Sequence, residues 1–173
     1  IFIDHVLGLE YATIFEMLSA YQQTAALSAA IELSLFTAIA EGNTTVAAMA
    51  QRCAASERGI RILCDYLTVH GLLAKSGGDY SLSPTAAVFL NQNSPAYLGG
   101  ISGFLLHPFI RGGYQDLAQT VRRGHPPSDH NSVDAENPIW VYFARCMAPM
   151  MHPVAMRMAQ HLGLGQRPAK ILD

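Results

Sequence analysis

The sequence predicts a mainly α chain organised around a winged-helix region, and three observations predict it. Two short amphipathic segments lie in series between residues 44 and 71, and a Gly-Gly turn flanked by short strand-like runs follows directly. Ser or Asn then stands immediately before Pro at Ser83-Pro84, Ser94-Pro95 and Asn137-Pro138. Each observation has a physical basis: a 3.6-residue apolar period marks one buried helix face, Gly-Gly favours a hairpin, and a capping side chain followed by proline suits a helix start.

From Ala12 to Ala40 the chain is apolar almost all the way round a helix, with Glu16 and Glu32 the only charges, and Gly42 follows as a stop. Such a helix needs cover on several sides. A second copy of the chain and a place in the middle of the core are both compatible with the pattern. Asn43-Thr44-Thr45 then opens a short helix with Val46, Met49, Ala50 and Cys53 on one face. Ser56 caps the next, with Glu57 in its first turn and Ile60, Leu63, Cys64 and Leu67 at the same spacing before Gly71. Leu72 to Lys75 and Tyr80 to Ser83 read as two strands around Ser76-Gly77-Gly78-Asp79. Two helices and a hairpin in this order are the winged-helix pattern.

Beyond the hairpin, helices are expected at Pro84 to Leu90, Pro95 to Leu106, Pro108 to Gly124 and Pro138 to Ala148, with a polar connection from His125 to Asn137. Met147, Met150, Met151, Met156 and Met158 cluster beside Trp140, Tyr142 and Phe143. Methionine suits both ordinary core filling and the wall of a pocket for flat organic molecules. Pro149 and Pro153 predict a kink or break there, since an interior proline costs a helix ~3 kcal/mol. Gly163 to Pro168 reads as a linker, and Ala169 to Asp173 as a strand without a partner in its own neighbourhood, the first of a further domain.

Composition narrows the function classes. With 173 residues, 50% of them hydrophobic, the chain can bury a real core and is expected to fold as a soluble globule. Charged residues make up 14% and the formal net charge is -2, which gives no electrostatic case for a polyanionic partner. The charge-free run Met17 to Ile31 is too short and too polar to span a membrane. The opening at Ile1 has no basic segment of a secretion signal, so the cytoplasm is the default location. Cys53, Cys64 and Cys146 show no metal-ligand spacing with one another or with the seven histidines, and are expected as buried free thiols. No metal site is predicted.

Several runs carry a likeness to a known family. Met17 to Leu27, continued by Ala30 to Leu33 and Leu35-Phe36, resembles the opening helix of the S-adenosylmethionine-dependent small-molecule O-methyltransferases of the hydroxyindole, caffeate and polyketide types. Thr45 to Ala50, Ser56 to Gly59, Arg61 to Leu63, Gly71 to Leu73, Tyr80 to Ser83 and Pro95 to Gly100 resemble that family's winged-helix dimerisation region in order and spacing. Phe143-Ala144-Arg145-Cys146-Met147 is similar to its Phe-x-x-x-Met segment, and Ile171-Leu172-Asp173 to the opening of its cofactor motif. Residues 1–12 match nothing in the pattern.

The resemblance implies a layout: a leader over 1–12, a winged-helix dimerisation domain over 13–106, a helical lid and linker over 107–168, and the first strand of a Rossmann-like cofactor domain over 169–173. It implies a homodimer formed through the N-terminal helices and a small hydroxylated acceptor, aromatic or polyketide-like. The chemistry it implies is attack of an acceptor oxygen on the sulfonium methyl of S-adenosylmethionine, with the protein aligning the reactants. Trp140, Phe143, Met147 and Met151 are the implied acceptor wall. Phe143, Met147 and Asp173 are the implied cofactor contacts, and no catalytic base lies within these residues. Two rival readings remain open. In a DNA-binding regulator the second short helix would enter the major groove, but between Thr44 and Leu90 four basic residues face three acidic ones, leaving only +1. The other is a module that dimerises without catalysis.

Overall fold

The computed structural model describes residues 11–126 and 137–162. The fold is mainly α, as expected, and the chain divides after Ser94 into two compact units. The expected connection over most of His125 to Asn137, the linker, the terminal strand and Asp173 lie outside the described residues.

The first unit opens with α1 (Ala12–Glu32) and α2 (Leu35–Ala40). The single helix expected from Ala12 to Ala40 is broken. Leu33 ends α1, and Ser34 takes a left-handed conformation at φ 54° that L-residues rarely adopt. Gln92 supports the break from 58 residues away: its Nε2 donates to Ser34 Oγ at 3.1 Å, and its backbone N–H donates to Thr37 Oγ1 at 3.0 Å. The turn lets α2 bury Leu35, Phe36 and Ile39. Gly42, at φ 97°, closes the segment.

α3 (Val46–Arg52) and α4 (Glu57–Val69) start where their caps predict. Thr45 Oγ1 accepts from the Ala48 N–H at 3.2 Å, and Ser56 Oγ from the Gly59 N–H at 3.1 Å. Ile60, Cys64 and Leu67 of α4 are buried against Met49 and Ala50 of α3. The antiparallel hairpin β1 (Leu73–Ser76) and β2 (Asp79–Leu82) follows, with Leu73 opposite Leu82 and Lys75 opposite Tyr80. Gly77 turns it at φ 61°. A bridge from Thr45 to Asp79 and a bond from the Tyr80 N–H to Thr44 O (2.9 Å) tie β2 to the approach to α3. Ser83 then caps α5 (Pro84–Phe89), accepting from the Ala86 N–H at 3.2 Å.

The second unit departs more from expectation. The helix expected from Pro95 to Leu106 is mostly turn: a 3₁₀ turn (Gly99–Ile101) leads into the single-turn helix α6 (Ser102–Leu105). The Tyr97 ring lies where a Cβ on Gly99 would have to stand, so the chain folds back locally instead of continuing as a helix. The helix expected from Pro108 to Gly124 is two pieces, α7 (Pro108–Gly112) and α8 (Leu117–Arg123), interrupted after the paired glycines Gly112 and Gly113. Gly124 ends α8 at φ 79°.

α9 (Ile139–His161) runs well beyond Ala148 and passes through both Pro149 and Pro153 without a break in its assignment. The prolines remove bonds to the carbonyls of Arg145 and Pro149, and both of those residues are exposed, so water can take the places lost. Asn137 starts the helix, its Oδ1 accepting from the Ile139 N–H at 3.0 Å. Among the described residues of this unit only Gly99 and Ile139 are buried. No helix among the described residues is long and apolar enough to cross a membrane.

Candidate functional site: a pairing helix and an aromatic stripe

α1 changes character along its length. Its C-terminal half joins the core, with Ala30 buried and Leu27 and Ile31 packed beside it. Its N-terminal half carries Ile14, Phe15, Met17, Leu18 and Tyr21 in the open, Met17 at 76% exposure. Ile14, Met17, Leu18 and Tyr21 fall at i, i+3, i+4 and i+7, an apolar face of the width a helix normally buries. Of the two readings that periodicity left open, the place in the core holds for the C-terminal half.

The hairpin is held to α4 by a polar cluster. Asp65 Oδ1 accepts from Tyr80 Oη and from Lys75 Nζ, both at 2.6 Å, while Arg61, one turn before it on α4, stands 3.7 Å from Oδ2. The Lys75 bond, then the Tyr80 bond, hold the Asp65 carboxyl below the usual carboxylate range. Burial, and then the bond to Asp65, push the Tyr80 phenol up. On α3, Arg52 clasps Glu41 with bonds of 2.7 and 3.1 Å and lowers its carboxyl in the same way. These side chains are engaged with each other, so this region presents a weak basic face.

Cys64 is a free, buried thiol, its Sγ 3.8 Å from Met49 Sδ, and burial pushes it up to about 12. Cys53 and Cys146 are free but only half-buried, less covered than expected. Among the described residues no group of His, Cys, Asp and Glu could hold a metal ion.

In the second unit, α9 brings together four residues singled out in the sequence. Trp140, Phe143, Met147 and Met151 are spaced by three, four and four, which places them in one stripe along the helix. Trp140 and Phe143 pack edge to face at 6.0 Å, and Phe143 packs in the same manner on Phe104 of α6 at 5.2 Å. Much of the stripe remains open, with Trp140 40%, Phe143 38% and Met151 48% exposed, whereas Met147 is half-buried. The methionines here are not the filling of a closed core. His107 joins from the turn before α7, its ring 5.0 Å from that of Tyr142. Phe104 and His107 were not singled out by sequence reasoning. Their partners on α9 lie more than thirty residues away, and a single-turn helix leaves no period to read.

The described residues thus comprise a helical unit with an exposed apolar leading helix and a second unit whose long helix bears an open aromatic stripe. Residues 15–92, most of the first unit, match the family model of the O-methyltransferase dimerisation domain. The chain is similar to the tetracenomycin polyketide synthesis 8-O-methyl transferase TcmO of Streptomyces glaucescens, 35% identical over 88 residues, 50% of this chain and 26% of that protein. It is also similar to the 3-hydroxy-5-methyl-1-naphthoate 3-O-methyltransferase of Streptomyces sahachiroi, 38% identical over 78 residues, 45% of this chain and 23% of that one. Among solved structures, a Nostoc punctiforme protein described as an O-methyltransferase is 41% identical and superposes with a TM-score of 0.80, covering 88% of this chain and 46% of its own. The matches span about a quarter of the two Streptomyces relatives and 46% of the Nostoc protein.

Proposed function

We propose that this chain is the dimer-forming and acceptor-covering part of an S-adenosylmethionine-dependent O-methyltransferase. The observation that carries the proposal is the match of residues 15–92 to the O-methyltransferase dimerisation domain, joined to the uncovered apolar face of α1. That face is where a second copy of the chain would seat, giving a homodimer through the N-terminal helices. α3, α4 and the hairpin are read as a winged-helix unit used for pairing. The regulator reading loses ground because the one basic residue on the hairpin, Lys75, is bonded to Asp65 and thereby withdrawn from phosphate contact.

The relatives act on a polyketide and on a hydroxynaphthoate, by their names. The acceptor proposed for this protein is accordingly a flat hydroxylated aromatic, laid along Trp140, Phe143, Met147 and Met151. Bound S-adenosylmethionine supplies an electrophilic methyl group. Phe143 and Met147 would stand nearest to it, Asp173 would contact it, and most of its binding would come from a cofactor domain. The part played by this chain's residues is alignment and exclusion of water, with no proton transfer assigned to them.

The experiment is substitution in a protein continued beyond Asp173 by a cofactor-binding half. Phe143→Ala and Met147→Ala are each expected to weaken acceptor binding or turnover about tenfold or more, with the dimer intact. Unchanged acceptor affinity and turnover in both variants would remove the stripe from the active site.

A further inference from the structure

We propose that His107 is the hydrogen-bond donor that orients a flat, oxygenated aromatic acceptor against the rings of Phe104, Tyr142 and Phe143. The proposal rests on the acceptor reading of α9 and adds to it a residue and a specific ligand chemistry. It starts from a single bond. His107 Nδ1 accepts from the Phe109 backbone N–H at 3.2 Å. A ring nitrogen that accepts carries no proton, so the proton of the neutral imidazole resides on Nε2, and Nε2 can donate but cannot act as a base. Among the described residues the His107 side chain makes no other hydrogen bond. The backbone therefore fixes both the tautomer and the ring orientation and leaves one donor to spare.

The surroundings of that donor are aromatic. The imidazole is tilted 53° to the Tyr142 ring at 5.0 Å, and Phe104, one turn earlier, meets Phe143 edge-on at 5.2 Å. Tyr142 and Phe143 remain exposed beside these contacts. The Tyr142 hydroxyl likewise has no partner among the described residues, which places a second polar group at the margin of the same surface. Exposed rings with one fixed N–H at their margin suit a flat fused aromatic that lies on them and bears a carbonyl or phenolic oxygen. A donor fixed in this way discriminates strongly against an analogue that lacks the oxygen, because the N–H is then left unpaired under the ligand. Removal of the acceptor's proton falls to a different group.

Trp140 is the chain's one tryptophan and packs against Phe143, so its fluorescence reports on this surface. The 173-residue chain is titrated with 2-naphthol and with 2-methylnaphthalene, which share shape but not oxygen. Saturable quenching by both is expected, with 2-naphthol binding more tightly. His107→Phe should weaken 2-naphthol about tenfold and leave 2-methylnaphthalene within about twofold. His107→Gln, which restores an N–H, should recover part of the difference. Helix content and the thermal midpoint are compared across variants, and if His107→Phe does not fold, the comparison rests on His107→Gln and Tyr142→Phe. The proposal is overturned if neither probe quenches, if His107→Phe binds 2-naphthol as the wild type does, or if both probes weaken equally. Binding here needs no methyl donor. An inactive full-length enzyme would therefore leave this result standing, and a failed titration would leave the methyl-transfer reading standing.

Discussion

The Tyr80 hydroxyl donates to Asp65 Oδ1 at 2.6 Å from a ring that is itself buried, so one carboxylate on α4 anchors the hairpin that follows it. Lys75, opposite Tyr80 in the hairpin register, reaches the same oxygen and lies 4.9 Å from the centre of the Tyr80 ring. Tyr80→Phe keeps the ring and loses the bond, and should cost about 1 kcal/mol in urea denaturation. Lys75→Ala should cost less, because its ammonium group is open to water. A larger loss for Lys75→Ala than for Tyr80→Phe would contradict this account of the anchor.

Acid should loosen the first unit. Asp65 and Glu41 have carboxyls lowered by Lys75 with Tyr80, and by Arg52, respectively. A carboxyl whose folded value is depressed stabilises the fold above its unfolded value of ~4, and that stabilisation is lost as pH falls through the lowered folded value. The thermal midpoint is expected to be level from pH 7 to 5 and to fall below pH 4, with a shallower fall in Asp65→Asn. A midpoint as high at pH 3 as at pH 6 would show that neither pair matters to stability.

Thiol reactivity should follow burial. Native protein treated with iodoacetamide at pH 8 is expected to label Cys146 and Cys53 while Cys64, buried and pushed up to about 12, stays unmodified until denaturant is added. Peptide mass spectrometry reads the order. Labelling of Cys64 as fast as Cys146 would mean that α3 and α4 open readily.

Leu67 and Val69 lie two residues apart on α4 and should respond very differently. Leu67 is fully covered by the core, and Leu67→Ala should cost 2–5 kcal/mol by emptying a packed site. Val69 is 83% exposed, and Val69→Ala should fall within ~0.5 kcal/mol of wild type. Equal losses would mean that the α4 face is assigned wrongly.

What could be read from sequence was local. Thr45, Ser56 and Ser83 cap the helices they precede, Gly77 turns the hairpin, and the spacing of Ile60, Cys64 and Leu67 names the buried face of α4, because each depends on neighbours within a turn or two. The break at Ser34 depends instead on Gln92, far along the chain, and no period in residues 12–40 announces it. Ser94-Pro95 carries a helix-start signal that the packing of Tyr97 on Gly99 overrides. Trp140, Phe143, Met147 and Met151 were named through the family resemblance, but a helix expected to stop at Ala148 did not place Met151 in one stripe with the others. The addition of Phe104 and His107 was not legible, since it comes from a separate turn brought up by folding.

Pairing through the exposed half of α1 is the central claim about function, and sedimentation equilibrium over a micromolar concentration series tests it most directly. The account predicts a species of twice the chain mass of 18.7 kDa, driven toward the single-chain mass by Leu18→Glu, which puts a charge at the centre of the apolar face. A wild-type chain that stays monomeric throughout, or a dimer that Leu18→Glu leaves untouched, would contradict it.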